Sequence, residues 1–124
     1  MTPAASGGDP LRYDGDKAHL TSTVDEEHRT VTVLVSGQLD TDNSPAVARV
    51  LQRAFDLVPA PHLVVVDLRD LRYASSTGIG VIARLYVEAH RRSVELEVCN
   101  VPANVKTVFD LLGFSTFFTF TTRP

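Results

Sequence analysis

The chain has 124 residues and a formal net charge of −3. That length fits one domain able to bury its own core, and the acidic balance excludes general attraction to nucleic acid or to an anionic membrane. A single cysteine, Cys99, allows no internal disulfide, and there is neither an apolar leader nor an 18-residue apolar run, so a cytoplasmic protein is expected.

Residues 1–17 are rich in Gly, Pro, Asp and Ser and predict a mobile tail, with Leu11 and Tyr13 as its anchor points. From His19, the residues Leu20, Ser22 and Val24 alternate with polar neighbours. The cluster Asp25 to His28 then makes a turn, and Thr30 to Gln38 resumes the alternation through Val31, Val33 and Val35. Two such runs joined by a short polar turn predict a hairpin. After Gly37-Gln38-Leu39-Asp40, Ser44 is expected to cap a helix with Pro45 at its first position. Apolar residues at 3–4 spacing carry this helix to Val58, where Pro59 and Pro61 stop it.

Leu63 to Leu68 has no alternation and predicts a strand buried on both faces. Arg69 to Ala74 follows as a loop. The next helix runs from Ile79 to His90, with Ile82, Leu85, Tyr86 and Ala89 turned inward, and the basic His90-Arg91-Arg92 suits its C-terminal end. Val94, Leu96 and Val98 form a strand, beside which Cys99 reads as a small buried hydrophobe. A third helix starts at Asn100-Val101-Pro102, uses Val105, Val108, Phe109 and Leu112 as its apolar side, and ends at Gly113. Phe117 to Thr121 makes the last strand. The order β-β-α-β-α-β-α-β predicts one α/β domain, a small mixed sheet with helices packed on it.

No pair of the four histidines has metal-ligand spacing, and there is no nucleophile elbow or Walker loop, so neither an enzyme nor a metal or cofactor site is expected. Asp40, Asp67 and Asp70 fall at strand ends, where carboxylates solvate well and where α/β sheets form their crevices. The chemistry concentrates in Ser75-Ser76-Thr77-Gly78-Ile79-Gly80, between a strand and a helix. Outward-pointing N–H groups there suit a phosphate, either bound or covalently attached, although the hydroxyls could equally cap the helix. Gly78 and Gly80 each cost a helix about 1 kcal/mol relative to Ala, which implies close approach by a packed neighbour, a ligand or a partner. Ser-Ser-Thr-Gly is similar to the phosphate loop of flavodoxins, which makes a nucleotide- or flavin-binding sensor the alternative reading. A scaffold whose motif stays unphosphorylated is a third.

With these residues in hand, the chain resembles the STAS-domain anti-sigma factor antagonists of bacteria over residues 18–122. Gly37-Gln38-Leu39-Asp40 looks like the family's Gly-Glu-Leu-Asp, and Leu63 to Leu71 looks like its apolar strand ending in Asp-Leu. Ser76-Thr77-Gly78-Ile79-Gly80 looks like its phosphorylation motif, and Cys99 to Gly113 its third helix. The resemblance implies a non-enzymatic antagonist that binds an anti-sigma factor with serine kinase activity and is released by phosphorylation. Ser76 is the implied acceptor, with Ser75 second. The implied partner surface comprises Asp40, Thr41, Ser75, Ser76, Thr77, Gly78 and Ile79. Two departures stand out. Ser75 occupies the place of the family's Asp, and the chain stops at Pro124 where many members continue into another helix, which leaves apolar surface to be covered.

Overall fold

The computed structural model describes residues 11–124. Strand β1 (Arg12–Asp14) lies antiparallel on β2 (Ala18–Asp25), which pairs antiparallel with β3 (Thr30–Leu39) along its whole length. The alternation in β3 works as its sequence implies. Val31, Val33 and Val35 are fully buried on one face, while Thr32, Leu34 and Ser36 on the other are only partly covered. Helix α1 (Ser44–Gln52) continues into a 3-10 turn over Arg53–Asp56, and this crossover leads to β4 (Leu63–Asp67) running parallel to β3. Val64, Val65 and Val66 are all buried, so this short β-branched run is covered on both faces.

Next come β5 (Leu71–Ala74), α2 (Ser76–Arg92), β6 (Glu95–Cys99), α3 (Ala103–Leu111) and β7 (Thr119–Thr121). The sheet runs β1-β2-β3-β4-β6-β7, with β5 attached separately to the end of β3. The mixed α/β sheet with helices is as expected. Among the described residues, no helix is long and apolar enough to cross a membrane.

Several local expectations need correction. Of the tail expected over 1–17, the part from Leu11 onward is structured rather than mobile, and the expected anchor Leu11 is buried, with its carbonyl accepting the Ser22 N–H at 3.1 Å. One buried leucine and a strand edge are enough to anchor a segment of polar composition. Residues 1–10 lie outside the described residues. Arg69 to Ala74 is not all loop, because Leu71 to Ala74 forms β5 alongside Gly37–Leu39 of β3. Its Leu71 and Ala74 are buried while Arg72 and Tyr73 are exposed, a pattern too short to announce a strand. Ser44 is the first residue of α1 rather than its cap; it is buried, and its Oγ donates to the Asp40 carbonyl. Tyr86 and Leu112, expected inward, are substantially exposed, and the strand expected from Phe117 begins at Thr119.

The basic end of α2 is where dipole compensation would place it. Arg91 and Arg92 both reach Glu88, and the chain leaves the helix through Ser93 in the left-handed region, φ 59. Cys99 is fully buried, and burial pushes its thiol up to about 11.

Candidate functional site

Strands β3 and β5 end side by side where α2 begins, and one serine fixes that entry. Ser75 is extended, and its Oγ accepts the Gly78 N–H at 3.1 Å. Its own N–H donates to the Leu39 carbonyl at 2.8 Å, which ties the start of α2 to the end of β3. Ser75 is therefore the N-cap, half-buried and engaged. Ser76, the first helical residue, and Thr77 after it are exposed. The first turn of α2 contains no acidic residue, so no side chain of that turn offsets the positive end of its dipole. A hydroxyl exposed at such a place can take on negative charge without strain in the fold.

Replacing Ser75 with Ala is expected to cost about 1 kcal/mol of stability, whereas Ser75→Asp keeps the cap and adds a favourable charge. Chemical denaturation checks this, and an unchanged midpoint for Ser75→Ala would show that the cap contributes nothing.

Across from this serine, the β3–α1 connection closes on itself. Asp40 Oδ1 accepts the Asn43 N–H at 2.9 Å, and Asn43 Oδ1 accepts the Asp40 N–H at 2.9 Å. Lys17 Nζ donates to Asp40 Oδ2 at 3.0 Å. The Asn43 amide first, and Lys17 second, hold the Asp40 carboxyl below the usual aspartate range, so it is charged at neutral pH. Thr41 is exposed at the tip.

Of the sequence-predicted residues, Asp40, Thr41, Ser75, Ser76 and Thr77 thus gather at one end of the sheet. Gly78 and Ile79, expected on the partner surface, are buried instead, because they form the face of α2 that packs onto the sheet. Asp67 is turned away into a structural cluster, accepting from Arg69 and Asn100. Asn43 and Lys17 were not anticipated. An Asp-x-x-Asn segment between strand and helix is a recognisable signal for the first, but the Lys17 pairing is purely tertiary. A hollow of roughly 700 Å³ bounded by Phe55, Pro59, Pro61 and Arg92 opens at the other pole, near the C-terminus of α2, and contains none of these residues.

The two glycines separate cleanly. A Cβ on Gly78 would stand 2.7 Å from Leu39 Cβ and 2.9 Å from the Leu39 carbonyl oxygen, so contact between α2 and β3 requires glycine there. A Cβ on Gly80 would meet nothing within 4 Å among the described residues. Gly78→Ala is expected to destabilise by about 1–2 kcal/mol, the clash outweighing the gain in helix propensity. Gly80→Ala should stabilise by about 1 kcal/mol. Opposite shifts in the denaturation midpoint are the readout, and shifts of the same sign would contradict the packing described.

The model of the STAS domain family matches residues 21–124. An anti-sigma F factor antagonist of Paenibacillus polymyxa is 32% identical over 89 residues, which is 71% of this chain and 75% of that protein. Among solved structures, an anti-sigma factor antagonist from Mycobacterium paratuberculosis superposes with a TM-score of 0.68 at 20% identity, covering 82% of this chain and 85% of that one. The anti-sigma factor antagonist SpoIIAA in its unphosphorylated form gives a TM-score of 0.62 at 18% identity over 80% and 86%. At those identities the structural matches carry the fold alone, while the family assignment rests on the family model and the Paenibacillus relative. The names of these relatives describe a regulatory binding role, not catalysis. This chain belongs to the STAS-domain family of anti-sigma factor antagonists.

Proposed function

We propose that this protein acts in the cytoplasm by binding an anti-sigma factor, thereby freeing a sigma factor, and that serine kinase activity of that partner ends the complex by phosphorylating Ser76. The observation that carries the reading is the exposed Ser76 hydroxyl at the N-terminus of α2, whose first turn holds no acidic residue and is tied through Ser75 to the end of β3, the strand that leads into Asp40 and the exposed Thr41. Ser75 is the weaker acceptor because its hydroxyl is half-buried and occupied as the cap. That occupation also answers the loss of an acid at this position, since serine and aspartate both cap helices well. Asp40 and Thr41 supply the polar part of the partner surface, supported from beneath by Gly78 and Ile79.

The test is to incubate the chain with ATP and an anti-sigma factor that has serine kinase activity, then to locate phosphate by mass spectrometry. Phosphate on Ser76 is expected. Phosphate confined to Ser75 would move the switch by one residue. A complex that forms but transfers no phosphate would remove the kinase half of the proposal and leave the binding half.

A further inference from the structure

We infer that the exposed groove beside α2 receives an amphipathic helix of the partner protein, with an acidic side chain of that helix set against Arg84. This rests on the partner-binding reading above and extends its surface well beyond the switch. Three observations converge.

The first is Gly80. Nothing among the described residues needs a glycine there, because its Cβ would meet no atom of theirs within 4 Å. A mid-helix glycine lowers helix stability, so one that the fold does not require marks an approach from outside.

The second is the groove itself. It has a volume of roughly 430 Å³ and runs between α2 and the connection from α3 to β7, lined by Gly80, Ala83, Tyr86, Val87, Phe114 and Phe117. Val87 is 64% exposed, Phe117 55% and Tyr86 37%, so a row of large apolar groups faces water. The far wall is fixed in place. Phe118 packs edge-on against both Tyr86 and Phe109, with centroids 5.7 and 5.4 Å apart.

The third is spacing and charge. Thr77, Gly80, Arg84 and Val87 follow one another at intervals of three, four and three residues, the spacing of a helix-packing seam. That stripe is about 15 Å long, or about three turns of a docked helix. Gly80 and Arg84 also line a second groove, of roughly 410 Å³, which leads to Pro45 and Thr77 beside Ser76. Whatever lies along the stripe therefore ends at the switch. Arg84 makes no ion pair among the described residues, whereas Arg91 and Arg92 farther along α2 are held by Glu88. An apolar trough with a free cation at its midpoint fits an apolar helix face bearing one carboxylate. An added strand fits less well, because the lining residues belong to a helix and an aromatic turn and none of them lies in a strand.

The experiment measures the affinity of the full chain for a serine-kinase anti-sigma factor that binds the wild type. Gly80→Leu fills the trough with a good helix former, and Val87→Glu places a charge in it. Each is expected to weaken binding about tenfold or more, with Gly80→Leu melting no lower than the wild type. Arg84→Glu should weaken binding similarly, and Leu111→Glu, at a still more exposed apolar residue on α3, should leave it unchanged. A photo-crosslinker at position 87 is expected to attach to an amphipathic helical segment of the partner. Unchanged affinity for Gly80→Leu and Val87→Glu would overturn the inference while the Ser76 reading stands. A crosslink to a second copy of this chain, or to an extended partner segment, would also overturn it. Failure of the wild type to bind any such factor would remove both readings together.

Discussion

With ATP and a serine-kinase anti-sigma factor, Ser76→Ala is expected to stay bound while the wild-type chain dissociates. A phosphoryl group adds about −1.5 to −2 charges at neutral pH. Ser76 occupies the first position of α2, where no acidic side chain of the first turn offsets the positive end of the helix. Inside the antagonist that charge is favourable by about 0.3–1 kcal/mol, so phosphorylation does not act by unfolding the domain. The penalty falls at the interface, where added bulk and negative charge meet the partner. About 3 kcal/mol of like-charge and desolvation cost there corresponds to an affinity loss of about a hundredfold. The joint signature is a phosphorylated chain that melts slightly higher yet binds much more weakly. Equal dissociation of Ser76→Ala and wild type would take Ser76 out of the mechanism, and a phosphorylated chain that melts lower would point to release by local unfolding.

Gly37→Ala is expected to lower stability by about 3 kcal/mol. Gly37 sits at φ +92, and a Cβ there would stand 2.1 Å from the Lys17 carbonyl oxygen. About 1–2 kcal/mol comes from forcing an L side chain into that backbone region, and the rest from pushing β2 off β3. The position is constrained from both sides. Gly37 N–H donates to the Asp70 carbonyl at 3.0 Å and Gln38 N–H to the Lys17 carbonyl at 2.8 Å, with the β3–β5 register shifting between these two residues. At a urea slope of about 1.5 kcal/mol/M the unfolding midpoint would fall by about 2 M. Because the displaced residue is Lys17, the ion pair to Asp40 should loosen in the same variant and partner binding should weaken with it. A midpoint within experimental error of the wild type would mean that the bulge at Gly37 relaxes freely.

Hydrophobic periodicity carried most of the architecture. The valine alternation of β3, the unbroken valines of β4 and the 3–4 spacing of the helices are local patterns, and apart from Tyr86 and Leu112 these elements bury most of the face that their own sequence marks. The stretch Ser75 to Gly80 was legible for a related reason: hydroxyls and glycines between a strand and a helix have few other uses. What the sequence could not assign was which hydroxyl serves which purpose. Ser75 became the cap because its N–H reaches the Leu39 carbonyl, a contact between residues 36 positions apart, and that contact left Ser76 exposed. Strand β5 escaped detection because its pairing depends on the bulge in β3 and not on its own four residues. The roles of Gly78 and Gly80 are indistinguishable in the sequence. One lies against β3 and the other faces open space, because residues two apart on a helix point about 200° apart around its axis. The apolar seam of α2 followed the same rule, since Tyr86 has a core-like spacing but the aromatic turn after α3 stops short of covering it. Composition, order and local pattern thus determined the fold and the neighbourhood of the site; contacts between distant segments decided which atoms in it face solvent.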